Sequence, residues 1–385
     1  MFVVINTIMI KLSFNDNYRF SIFLTACIFA FVVFSGFQSN PIPAREITLR
    51  DEHLPVTPKE FYVAKVVDER DDHNTVAWLL PAAINKNNES KPYPVNLHGG
   101  AAAAIKQFTD HNLLADKSAR PVVIALKQFI AKESYTAGGS VEGRVSLIMS
   151  FNLDRGENED ALHLAGYNGN VVYSRSADKP WDVEPTLRKL LINGLVYINT
   201  WINRQAGTNI KLAKAVKVNF TDYEEKPEGD TIYYSVKRPL KWSDFQSKTG
   251  NNKYEAEVFP FIGYDEEAKV INGVINVRLI IKVSLPKSAC WVKRGSESDY
   301  ALNHEQRHFD IVKLVAEHFK QKIKAQNLPV SNFEGPINEE YLETYREMDR
   351  LQKLYDSETM HGINHPAQQR WNEKIDKELK DYGVR

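Results

Sequence analysis

The alternation of apolar and polar positions divides the first half of the chain into strands and two helices. Residues 61-FYVAKVVD-68 and 75-TVAWLLP-81 read as strands, and 121-PVVIALKQFIA-131 and 141-VEGRVSLIMSFNL-153 are β-branched and alternating, which predicts two more. The stretch 161-ALHLAGYNGNVVYSR-175 extends the series, and Gly-Tyr-Asn-Gly-Asn at its middle predicts a hairpin turn. Gly99 to Leu114 predicts a helix opened by glycines. Asp182 to Gln205 sets Leu187, Leu190, Leu191, Leu195, Ile198 and Ile202 at helical spacing, with Asp182 as N-cap.

The turn-rich stretch 224-EEKPEGD-230 marks a boundary. After it, 254-YEAEVFPFIG-263 and 274-VINVRLIIKVSLP-286 predict strands. In the second, Val277, Leu279, Ile281, Val283 and Leu285 share one face. Residues 290-CWVK-293 lead into a helix from Asp299 to about Ala325, with Ile311, Val312, Val315, Phe319 and Ile323 on its apolar stripe. Two more helices are expected near 338–355 and 366–380. The fold class is α+β: a linker over 40–58 with Pro41, Pro43, Pro55 and Pro58, an α+β domain over 59–225, and a second domain over 231–385 of antiparallel strands, the long helix and two further helices.

The first 39 residues change the picture. Residues 20–37, FSIFLTACIFAFVVFSGF, carry no charge and come after Lys11 and Arg19, the pattern of a secretory signal or signal anchor. Positive charge before the apolar run keeps the amino terminus cytoplasmic and exports the remainder of the chain. Leu24-Thr25-Ala26-Cys27 resembles a lipid-attachment signal, so a lipoprotein stands beside the cleaved signal and the anchor. The expected location is the cell envelope, periplasmic or secreted. With only two cysteines, Cys27 and Cys290, the exported part holds no internal disulfide, and Cys290 is expected as a small buried residue. A formal net charge of zero argues against nucleic-acid binding.

The candidate chemistry lies in 303-NHEQRHFDI-311. Histidines four apart on a helix project from one face and can each give a nitrogen to one Zn²⁺. The glutamate between them then serves as general base toward a metal-activated water. This makes His304 and His308 candidate metal ligands and Glu305 the candidate catalytic base, in a zincin-like domain. The pattern also arises by accident in roughly one or two such chains per hundred, and two partly buried structural histidines are the alternative. A catalytic zinc needs a third protein ligand and an open position. His318 is on the same helix but ~15 Å along it, too far to share the metal. Residues 355-YDSETMHGINH-365 fall in a break bracketed by Gly362 and Pro366, and supply Asp356, Glu358, His361 and His365 as candidates.

Residues from about Pro239 to Leu379 resemble the bacterial domain-of-unknown-function family nine hundred and twenty-two, described as secreted zinc-dependent proteases. The landmarks are Leu240-Lys241-Trp242-Ser243-Asp244-Phe245, Trp291-Val292-Lys293, His304 to Ile311, Tyr355 to His361, then Gln368 or Gln369, Trp371 and Ile375. The resemblance makes His361 the third zinc ligand; Asp356, from the same break, is the substitute. Asp310, Asp356 and Glu358 are candidate partners for the histidines' second nitrogens. Tyr355 is a candidate donor to an oxyanion, or a packed helix-end tyrosine. The strand 274–286 offers either a free edge to an extended peptide or an internal position. The function expected is a zinc-dependent envelope peptidase acting on peptide or protein substrates, with residues 59–225 recruiting an envelope partner. That domain's element order weakly resembles small envelope lipoproteins of transport or assembly systems. The rival expectation is a non-enzymatic assembly or adaptor protein with a structural zinc closed by four ligands.

Overall fold

Alternation over 45–176 produces a seven-stranded sheet. Its strands are β1 (Arg45–Ile47), β2 (Phe61–Asp68), β3 (Ala77–Leu79), β4 (Tyr93–Leu97), β5 (Arg120–Tyr135), β6 (Ser140–Leu153) and β7 (Leu162–Ser176). The order is β1-β4-β3-β5-β6-β7, with β2 also paired to β5. The sheet belongs to a computed structural model describing residues 45–82, 90–113, 116–156, 159–224, 228–249 and 253–385. The apolar run 20–37 lies outside these residues. No described helix is long and apolar enough to cross a membrane.

The expected hairpin at Gly-Tyr-Asn-Gly-Asn is absent. β7 runs straight through it, pairing Gly166 to Asn170 with Ser150 to Ser146 of β6. Gly169 serves close approach rather than a turn. A Cβ at Gly169 would meet the Tyr167 hydroxyl at 2.6 Å and Leu190 at 2.7 Å, and Leu190 belongs to helix α2 (Glu184–Gln205). With α1 (Ala101–Asn112), α2 completes the first core, where Leu187, Leu191, Leu195, Ile198 and Ile202 are all fully buried.

The second core begins earlier than the boundary at 224–230 suggests. β8 (Ala215–Asp222) lies outside the first sheet and pairs parallel with β12 (Val274–Pro286), which also pairs with β9 (Thr231–Tyr233) and β11 (Phe261–Ile271). This sheet is therefore mixed rather than purely antiparallel. Both edges of β12 are taken, so it offers no edge to a peptide. A short ladder of β10 (Ala256–Glu257) and β13 (Trp291–Val292) stands apart from it.

Three helices close this core: α3 (Asp299–Ala325), α4 (Glu334–Thr359) and α5 (His365–Asp381). Ser298 starts α3 by accepting the Ala301 amide at 3.1 Å, satisfying one of the helix's open donors. The apolar stripe of α3 then packs on the Val277-to-Leu285 face of β12. Asp222 at the end of β8 ties strand to helix, accepting from the buried amines of Lys313 at 2.8 Å and Lys320 at 2.7 Å. Residues Ala44–Arg385 form one compact unit.

Candidate metal centre

α3 buries both histidines of the motif against the end of α4. His304 is 6% exposed, and its ring stacks on Tyr355 at 4.8 Å with 18° between planes. The His308 ring meets the same tyrosine edge-on. Asp356 of α4 completes the group: its Oδ1 lies 3.0 Å from His308 Nε2 and 3.4 Å from His304 Nε2. The three ligand atoms lie within 4.8 Å of one another.

The hydrogen bonds around the rings determine what those atoms offer. Gln352 Nε2 donates to the His308 carbonyl oxygen at 3.0 Å, which leaves Gln352 Oε1 facing His308 Nδ1. An amide oxygen only accepts, so Nδ1 carries the proton and Nε2 has its lone pair free. His304 Nδ1 meets Gln368 Oε1 at 2.8 Å in the same manner. Asp356 Oδ1 is buried and, despite its closeness to both rings, has no partner in hydrogen-bond geometry among the described residues. Two imidazole lone pairs and a carboxylate oxygen thus face one another. Such a set repels itself unless a cation or protons stand between, and its nitrogen and oxygen donors suit Zn²⁺. The residues fit the metal.

Charge coupling within the group is strong. Burial acts to raise the Asp356 pKa, yet His304 and His308 outweigh it and hold the carboxyl well below its ordinary value. Burial acts to lower that of His308, but Asp356 and Glu305 raise it overall. Glu305 is 5% exposed and accepts no hydrogen bond from a described residue. Burial pushes its pKa up against the lowering pull of the two histidines, the direction a carboxylate needs to hold a proton near neutrality.

The structure separates the expected third ligands. His361 lies past the end of α4 in a run of three positive φ values, Met360 at 50°, His361 at 53° and Gly362 at 85°. This turn swings its ring onto Tyr254 at 4.2 Å and leaves it 41% exposed, with Nδ1 3.4 Å from Asp356 Oδ1. Asp356 is therefore inside the cluster and His361 at its rim. His365 stacks on Tyr300 at 4.1 Å and stays outside. His318 pairs with Glu347 at 2.7 Å.

Tyr355 does not face an open cleft. Fully buried, its hydroxyl donates to the His304 carbonyl oxygen at 3.2 Å and accepts from Gln368 Nε2 at 2.6 Å, so it packs and orients rather than meeting an oxyanion. Asp310 and Glu358 do not touch the rings. Asp310 gathers Tyr234, Gln306, Arg307 and Arg385, and Glu358 accepts from Trp371 Nε1 at 2.7 Å. Burial pushes the Cys290 thiol up to about 11, keeping it protonated. Sequence reasoning missed Gln352 as a partner of His308. The available signal was its place one helical turn before Asp356, on the same face of α4.

Residues 263–362 match the family model DUF922, described as a bacterial protein of unknown function. Over this segment the chain is similar to the DUF922 family. The match runs from β11 through Gly362, inside the wider span over which the resemblance was expected, and includes His304, Glu305, His308, Asp356 and His361. A search of curated proteins returned no match. The crystal structure of protein XCC0632 from Xanthomonas campestris, of family DUF330, aligns over 42% of this chain and 96% of its own at 13% identity and a TM-score of 0.27, which assigns neither fold nor function.

Proposed function

We propose that this protein is a zinc-dependent peptidase of the bacterial cell envelope. The observation that carries the reading is the convergence of His304 Nε2, His308 Nε2 and Asp356 Oδ1 beside the buried Glu305. His304, His308 and Asp356 would hold the zinc. When bound, zinc supplies Lewis-acid polarisation of a carbonyl and lowers the pKa of water. Glu305, with its raised pKa and no hydrogen-bond donor among the described residues, takes a proton from the attacking water and returns it to the leaving amine. Tyr355 and the two glutamines hold the rings.

β10 gives a substrate a place to lie. It packs against α3, and Tyr254 just before it meets the His361 ring at 4.2 Å. The Lys293 amide donates to the Glu255 carbonyl at 2.7 Å, so the alternation of an antiparallel pair turns the amide and carbonyl of Ala256 away from β13. Those groups have no partner among the described residues, and an extended peptide can pair with them. The seven-stranded sheet of the amino-terminal part would recruit an envelope partner.

The nearness of His361 Nδ1 to Asp356 Oδ1 favours one other reading, a non-enzymatic adaptor whose zinc is closed by four protein ligands. Zinc content and a peptide-library digest of the parent chain, Glu305→Gln and His361→Ala separate the two. The peptidase reading expects zinc in all three and cleavage by the parent but not by Glu305→Gln. Zinc lost in His361→Ala, together with no cleavage by the parent, would establish the adaptor. No zinc in the reconstituted parent would remove both readings.

A further inference from the structure

A glutamine amide accepts through its oxygen and donates through its nitrogen, so its orientation decides which nitrogen of a facing imidazole carries the proton. Two contacts fix the orientation of Gln368. Asn372 Oδ1 takes hydrogen bonds from Gln368 Nε2 at 2.9 Å and from Arg307 Nε at 3.0 Å. Arginine only donates, so the Asn372 atom it meets is the oxygen, and the Gln368 atom meeting that oxygen is the nitrogen. Tyr355 agrees: its one hydroxyl proton goes to the His304 carbonyl, so it accepts from Gln368 Nε2. Only Gln368 Oε1 is left for His304 Nδ1. Arg307 is itself held from behind, by both carboxylate oxygens of Asp376 at 2.6 and 3.1 Å and by the buried Asp310 at 3.0 Å.

We propose that Gln368, oriented by Asn372 and Arg307, is the positioning residue that keeps His304 Nε2 unprotonated and turned toward Asp356, ready for a metal. The proposal rests on the metal reading of the centre. It replaces the carboxylates expected behind the histidines with a neutral amide. A carboxylate there would make the imidazole a stronger donor. Glutamate at 368 therefore keeps the ring's tautomer, whereas a side chain that cannot accept loses it.

The test uses the full chain with ¹⁵N-labelled histidine, read in two ways. One is the ring nitrogen shifts of His304 in zinc-free protein at a pH where the ring is neutral. The other is zinc affinity by competition with a chelator. In the parent, the Nε2 shift should be that of an unprotonated nitrogen. Gln368→Leu should move the proton toward Nε2 and weaken zinc binding by roughly 10–100-fold. Gln368→Glu should keep the parent tautomer and bind zinc at least as tightly. Asn372→Leu should weaken zinc binding by less than Gln368→Leu, because Tyr355 still holds the amide, and Asn372→Asp should resemble the parent. Parent-like tautomer and zinc affinity in Gln368→Leu would overturn the proposal. So would equal weakening in the leucine and glutamate variants, which would mean that Gln368 only fills space. Should Gln368→Leu fail to fold, the Asn372 pair decides: equal behaviour of leucine and aspartate there overturns the proposal. A parent that binds no zinc removes the peptidase reading, and the tautomer comparison still tests the role of Gln368.

Discussion

Replacing Asp356 by asparagine distinguishes a metal centre from a pair of packed histidines. The side chain keeps its size and loses its charge. In the parent, zinc at a thousandfold excess over its dissociation constant adds about 4 kcal/mol to folding stability. For the compact unit Ala44–Arg385, an unfolding entropy of about 2 cal/mol/K per residue gives roughly 0.7 kcal/mol/K, so zinc should raise the melting temperature by about 6 °C. With the third ligand lost, that rise should shrink below about 1 °C. Without zinc and with both imidazoles neutral, the substitution exchanges a carboxylate whose Oδ1 has no hydrogen-bond partner among the described residues for an amide that can donate to a ring nitrogen, so it should cost less than about 1 kcal/mol. The assay is thermal melting of chelator-treated full chain, with and without zinc, at a pH above the fall in the metal-free melting profile, beside His361→Ala, which should keep most of the shift. A parent-sized zinc shift in Asp356→Asn would refute the assignment of Asp356 as a ligand. No zinc shift in the parent, together with strong destabilisation of the metal-free variant near pH 6, would mark the cluster as a histidine–aspartate ion pair.

Other consequences are measurable. Glu305→Gln should retain the zinc shift while peptide turnover falls by roughly 10²–10⁴-fold, and undiminished turnover would exclude it as the base. Because the folded pKa of His308 is raised above its ordinary 6.5, its protonated pairing with Asp356 stabilises metal-free protein fully below that value and is lost as pH rises through the folded pKa. The melting temperature of metal-free protein should therefore fall as pH rises through this window while the zinc-induced gap widens; a flat metal-free profile would contradict this. Gly362→Ala places a Cβ 3.5 Å from the His304 ring, an ordinary contact, so its cost comes from φ +85° and should be about 1–3 kcal/mol by thermal or denaturant unfolding. An unchanged stability would show that this turn relaxes freely. Phe319→Ala, in the second core, should cost about 3–5 kcal/mol in the same measurement, and a cost below about 1 kcal/mol would argue against the packing of α3 on β12.

Periodicity alone was enough to find the helix from Asp299 to Ala325, the buried face of β12 and the pair His304 and His308, because these patterns repeat within a single element. Glycine and asparagine at the middle of β7 misled for the opposite reason. The smallness of Gly169 answers to Tyr167 and Leu190, which come together only when the helix lies on the sheet. The same limit governs the centre. The break at 355–365 brought out Asp356, Glu358, His361 and His365 as candidates and the family resemblance singled out His361, but the placing of His361 against Asp356 depends on a left-handed turn. Asp356 faces both rings of α3 from the helix, while His361, five residues on, rests on Tyr254 at the rim with its Nδ1 3.4 Å from Asp356 Oδ1. Gln352 and Gln368 carry no chemical signature in a sequence and acquire a role only where α4 and α5 bring them against the two imidazoles. What the sequence determined by itself was which residue types and spacings were available to hold a metal. Only the tertiary structure decided which atoms share a point in space, because hydrogen-bond direction and helix-end geometry are set by contacts between segments far apart in the chain.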